Sequence, residues 1–241
     1  MNPKITVASL QDMKREGRKI VGVVAWDTPM AELAERAGVD LISVGDSVGK
    51  NLWGHATENE VTVDELLVVC KAVRRGAKCA LVSCDVPAAA ADALAAAKRL
   101  VTEGGAQMVK VLAPPDTVRA LASAGIAVFA EFHGGGPTAE LVAHAKALEE
   151  AGAALLDFRH SGPEAGAAVV RAVGIPVIGG LGGGPWLDGR MRMAHAAIGY
   201  GTQWLDAKTE TYAHVSAIAL GALSAYAQDV RAGRPLKGQR G

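Results

Sequence analysis

Cysteine is scarce and unpatterned in this sequence. Cys70, Cys79 and Cys84 are an odd number with no CxxC pair, which argues against a disulfide framework and leaves buried, reduced thiols as the expectation. No apolar run approaches the length of a membrane span, and the first residues, MNPKITVASLQDMKREGRK, hold no signal core, so a cytoplasmic protein with no membrane partner is expected. An excess of one charge is missing too. The 25 basic and 25 acidic side chains cancel, no block of like charge suits nucleic acid, and a small molecule is the expected partner. A Gly-rich dinucleotide fingerprint is absent after the early strands, where SVGKNLWG stands instead, which leaves an open doubly wound sheet as the weaker fold reading. No linker or low-complexity segment divides the chain, so residues 1–241 read as a single domain.

What the sequence does contain is alternation. Short β-rich runs at 20–27, 40–46, 79–85, 107–113, 126–133, 153–160, 175–180 and, weakly, 202–206 are separated by Ala/Leu-rich helical segments. This pattern predicts a (β/α)8 TIM barrel, with an N-terminal helix at 5–16 and a long C-terminal helix at about 210–231. Pro29 opens a helix at 29–37, Thr62 with Glu65 caps one at 63–75, and Pro87 is expected to open 88–103. Glycines at 38, 76, 104, 125, 152 and 174 are expected as left-handed helix ends. The long strand-to-helix connection at 47–61 is the length of a ligand-working loop.

Active sites of such barrels lie at the carboxyl ends of the strands. The run DLISVGDSVGK at 40–50 brings Asp46 and Ser47 to that edge, with Ile42, Val44 and Asp46 expected on one face; a turn or helix cap is the alternative reading of Asp46. Asp85 follows on the next strand, and two neighbouring carboxylates repel unless a cation or proton lies between them, which suits a hard ion such as Mg2+. Lys110 shares a face with Leu112, Glu131 and His133 with Phe129, and Asp157 and Arg159 with Leu155.

The stretches AWDTPMAELAERAGVDLISVGDSVGK, WGHATENEVTVDE, KAVRRGAKCALVSCDVP and QMVKV resemble the ketopantoate hydroxymethyltransferase family, within the phosphoenolpyruvate mutase and isocitrate lyase superfamily. The resemblance is specific over about residues 20–111 and looser beyond. It implies a Mg2+-dependent barrel enzyme acting on an α-keto acid, with methylenetetrahydrofolate as one-carbon donor and ketoisovalerate as acceptor. It implies Asp46 and Asp85 as metal ligands, directly or through water, and Ser47 and Lys110 as contacts to the keto-acid carboxylate. It also implies a homo-oligomer, for which Ala-rich faces at 88–98 and 213–227 are candidates.

Three departures from the family pattern stand out. Leu112 occupies the position of a metal-associated Glu, Arg159 that of the catalytic Glu of LEGVP or LECVP, and EFHGGGPT replaces GHLG(L)TP. Arg cannot replace a carboxylate base. A changed substrate is the preferred expectation: Arg159 would bind a second carboxylate or a phosphonate, and Glu131 would restore an acidic group as metal-shell ligand or base. His133 is the favoured acid or base over His160, which alternation turns away from Arg159. His55 is expected in a lid or a structural hydrogen bond, His144 and His214 on helix surfaces or interfaces, and the loops GGGP at 134–137 and GGLGGGP at 179–185 as anion wraps. A lyase or hydrolase of an α-keto diacid and a catalytically silent, metabolite-binding barrel remain as alternatives.

Overall fold

The computed structural model describes residues 3–180 and 182–238, which form two compact units, Met1–Arg192 and Met193–Gly241. Among the described residues, parallel strands β1 (Ile20–Val24), β2 (Leu41–Val44), β3 (Leu81–Asp85), β4 (Met108–Val111), β5 (Val128–His133), β6 (Ala153–Arg159), β7 (Val177–Gly179) and β8 (Gly189–Met193) close into a barrel in chain order. Helix α1 (Val7–Arg15) precedes β1. Helices α2 (Thr28–Arg36), α3 (Val63–Gly76), α4 (Ala93–Thr102), α5 (Pro115–Ser123), α6 (Thr138–Glu150) and α7 (Pro163–Ala172) form the crossovers up to β7. The second unit holds α8 (Ala194–Ile198) and α9 (Val215–Arg231). The expected (β/α)8 barrel is therefore present.

Local chemistry sets the boundaries. Thr62 and Glu65 make the expected capping box, each side chain bonding the other's backbone N–H. Helix α4 starts later than expected, because the Asp92 carboxylate, and not Pro87, satisfies the first free amides, those of Leu94 and Ala95. Glycines 38, 125 and 152 take the left-handed conformation, but at the end of α4 it is Gly105 that does so. Gly76 serves instead for close approach, since a Cβ there would lie 2.6 Å from Thr28 O.

The eighth strand is not 202–206. Residues Thr202–Trp204 form a 3-10 turn, and the barrel closes through Gly189–Met193. In GRMRM, Gly189 and Met191 face inward while Arg190 and Arg192 stay exposed, so alternate charges hide the strand from a search for apolar runs. Asp188 fixes this closure: its carboxylate accepts from Val177 N at 2.8 Å and pairs with Lys14 at 3.1 Å, and its carbonyl accepts from Ile20 N. No helix intervenes between β7 and β8 among the described residues.

The barrel floor takes one inward side chain from each strand, Ile20, Leu41, Leu81, Met108, Phe129, Leu155, Ile178 and Met191, closed from below by Leu10 and Met13 of α1. Burying this layer supplies the apolar stabilisation, and alternation then decides what stands above it. Two residues on are Ser43 and Ser83, hydrogen-bonded at 2.9 Å, and then Lys110, Glu131 and Asp157, all buried. Since Leu41 lies in the floor, Ile42 and Val44 share the outward face of β2, but Asp46 does not continue it as expected. The strand ends at Val44, and Asp46 belongs to the following turn, where pleat alternation no longer applies.

Candidate active site

Lys110 of β4 is the hub of the mouth. Its ammonium bonds Glu131 Oε2 and lies 3.0 Å from Asp157 Oδ2, over the Phe129 ring at 5.7 Å from its centroid. Burial works against the charge, but Asp85, Asp157 and Glu131 outweigh it and raise the Lys110 pKa. Both oxygens of Glu131 are engaged: Oε2 accepts from Lys110, and Oε1 is shared by His133 Nε2 at 2.8 Å and Arg159 Nη1 at 2.9 Å. Burial alone would raise the Glu131 carboxyl, yet Lys110, His133 and Arg159 bring it down to about 2. Strand register explains the grouping, since Glu131 pairs with Asp157 and His133 with Arg159 across β5 and β6.

Asp85 stands beside Lys110, its register partner across β3 and β4, and has Ser47 near it, with Asp46 in the turn after β2. A Cβ built on Gly45 would lie 3.0 Å from Ser47 Oγ and 3.5 Å from Asp85 Oδ2, so glycine there leaves room for both groups. Asp85 is half-buried overall, but its Oδ1 is sealed from solvent and accepts no hydrogen bond. Burial pushes its carboxyl up to about 7; Lys110 opposes this, and the negative charges of Asp46, Glu131 and Asp157 add to it. Asp46 is raised as well, by burial first and then by Glu58. Two raised carboxylates with an orphaned oxygen suit a divalent cation that completes its shell with water and substrate oxygens. No group of three His, Cys, Asp or Glu side chains able to hold a metal occurs among the described residues, so such an ion would depend on those outside ligands.

Other sequence candidates lie as follows. Leu112 is 65% exposed at the rim. His160, expected to turn away, follows the last residue of β6 with φ +52 and brings its ring centroid to 6.3 Å from that of His133. The 47–61 connection is folded, with a π-helical turn at Gly49–Trp53 and a 3-10 turn at Glu58–Glu60, and His55 packs against Trp53 within it. His144 packs edge-on against Phe132, and His214 precedes α9 as its cap residue. The glycine loops do structural work: Gly134 N continues the ladder to Arg159 O, Gly180 N donates to Asp157 Oδ1, and Gly166 and Gly184 leave room for the Trp186 ring, whose Nε1 donates to Ser161. Leu181 of that loop lies outside the described residues. The inward alternation of Asp157 is visible in the sequence, but its contact with Lys110 becomes apparent only once β4 and β6 are placed on one barrel.

The family described as ketopantoate hydroxymethyltransferase matches residues 4–136 and 135–235. A 3-methyl-2-oxobutanoate hydroxymethyltransferase of Geobacillus kaustophilus is 38% identical over 244 residues, covering 91% of this chain and 87% of its own. Among solved structures, a phosphoenolpyruvate phosphomutase of Streptomyces platensis superposes with a TM-score of 0.65 at 16% identity, covering 95% of this chain and 88% of its own. A phosphonopyruvate hydrolase solved with oxalate and Mg2+ gives a TM-score of 0.63 at 16% identity, with 95% and 88% coverage. These structural likenesses show the barrel fold.

Proposed function

The chain belongs to the ketopantoate hydroxymethyltransferase family, and on that premise we propose that it makes or breaks a carbon–carbon bond beside an α-keto acid carbonyl, using a divalent cation such as Mg2+ at Asp46 and Asp85. The observation that carries this reading is Asp85 Oδ1, sealed and unbonded beside a second raised carboxylate. Such chemistry needs an electron sink, either a lysine imine or a metal. Lys110 is held charged by surrounding carboxylates and is a poor nucleophile, which favours the metal. When bound, the ion acts as a Lewis acid on the keto oxygen.

The chain's own residues then divide the work. Lys110 has one ammonium N–H beyond those given to Glu131 and Asp157, and offers it with the Ser47 hydroxyl to the keto-acid carboxylate. His133, held through Nε2 by Glu131, keeps Nδ1 for a proton at the carbon next to the carbonyl. Glu131, already bonded to three donors and with its carboxyl at about 2, orients these groups and is too weak a base for the proton itself. Methylenetetrahydrofolate is the one-carbon donor on this reading, ketoisovalerate the acceptor, and the enzyme a cytoplasmic homo-oligomer.

Arg159 favours a second reading, a lyase or hydrolase of an α-keto diacid. Only its Nη1 is bonded among the described residues, and the side chain is 34% exposed, so the rest of the fork is available to a second carboxylate or a phosphonate. The deciding experiment incubates the protein with Mg2+, methylenetetrahydrofolate and ketoisovalerate, and separately with α-keto diacids, and follows products by mass spectrometry. Ketopantoate formation supports the first reading and diacid cleavage the second. No metal-dependent product from either set contradicts both.

A further inference from the structure

Asp157 stands at the second inward position of β6, 1% exposed, directly across from Glu131 in the β5–β6 register. Two carboxylates facing each other on adjacent strands repel, and a buried ion pair is often no more stable than an apolar replacement, so fold stability gives little reason for a second acid here. Its bonding gives a better one. Oδ2 lies 3.0 Å from Lys110 Nζ, and Oδ1 accepts from Gly180 N at 3.3 Å. Both oxygens face donors. Asparagine would turn an NH2 toward one of them whichever way it flipped, so the position calls for a carboxylate.

Glu131 alone would not fix the lysine. Its oxygens are divided among Lys110, His133 and Arg159, and a four-carbon stem bonded to a single acceptor keeps rotational freedom. Adding Asp157 gives the ammonium two acceptors on two strands, with Phe129 beneath it. Gly180, at the start of the β7–β8 connection, in turn holds Asp157 from the other side.

We propose that Asp157 is a positioning residue that, together with Glu131, fixes the Lys110 ammonium so that its remaining N–H is aimed at the substrate carboxylate. This rests on the reading of Lys110 as a keto-acid contact. Asp157 bonds Lys110 and the Gly180 amide and neither Asp46 nor Asp85, so its part in substrate binding runs through Lys110.

A double-mutant cycle read by calorimetry tests it, with Mg2+ alone and then oxalate, a chelating stand-in for the enolate of a keto acid, at saturating Mg2+. D157N should weaken oxalate binding by about tenfold while leaving Mg2+ affinity within about twofold. In a K110M background the same change should cost less than about twofold. Equal losses in both backgrounds, or no loss in the Lys110 protein, would overturn the positioning role. D157S is the second variant should D157N fail to fold, with the same expected results. Failure of the unsubstituted protein to bind Mg2+ and oxalate would instead overturn the metal and keto-acid reading, and this proposal with it.

Discussion

Arg159 Nη1 donates to Glu131 Oε1 across 2.9 Å, an ion pair that joins the ends of β6 and β5 at the barrel mouth. Glu131 is thereby neutralised from both sides, by Arg159 and by Lys110, and its low pKa follows from that placement.

The pH dependence of stability follows with a definite sign. A carboxyl lowered from an ordinary 4.5 to about 2 stabilises the fold above the unfolded value, and that contribution disappears as the pH falls through about 2. The wild type should therefore exceed E131Q by roughly 3 kcal/mol above pH 5, with the gap closing between about pH 4.5 and 2. Urea unfolding of both proteins across that range checks it. A gap that does not depend on pH would contradict the charge-based origin.

Asp85 behaves in the opposite sense. Its raised carboxyl means that the metal-free fold loses stability as the pH climbs from about 4 to about 7 and the buried group ionises. At pH 8 without metal, D85N should be more stable to urea than the wild type, by up to about 4 kcal/mol, while losing Mg2+ binding. Added Mg2+ should raise the wild-type melting temperature and leave that of D85N unchanged. A D85N protein that still gains stability from Mg2+ would remove Asp85 from the site.

Lys110 should form no imine. Incubation with a keto acid and cyanoborohydride should leave Lys110 unmodified by peptide mass mapping, because the ammonium stays protonated among its carboxylates. A trapped adduct at Lys110 would point to lysine-imine chemistry and away from a metal.

Arg159 should set selectivity. R159M should reduce turnover of an α-keto diacid at least about tenfold more than that of ketoisovalerate, measured as kcat/KM, if the free part of the guanidinium meets a second anion. An unchanged ratio would leave Arg159 only its ion pair with Glu131.

The barrel was legible because its signals are local: apolar runs, capping residues such as Thr62 and Glu65, and glycines such as Gly38 and Gly125 that end helices. The eighth strand was not, because GRMRM presents charge at every second position. Lys110, Glu131 and Arg159 could be found singly from pleat alternation. That Glu131 holds Lys110, His133 and Arg159 together, and that Asp157 completes the clamp, depends on strand register and lysine reach, which no single segment encodes. The place of Asp46 is not readable from pleat alternation, since the outward face of β2 ends before it and a turn carries it onward.

The central claim is that Asp46 and Asp85 support metal-dependent proton removal next to an α-keto carbonyl, and its most direct test is proton exchange by NMR. In D2O with Mg2+, the protein should catalyse loss of the C3 proton signal of ketoisovalerate or of an α-keto diacid, and both chelation of the metal and D85N should abolish it. Absence of exchange with every keto acid tried, or exchange that persists without metal or in D85N, would contradict that claim.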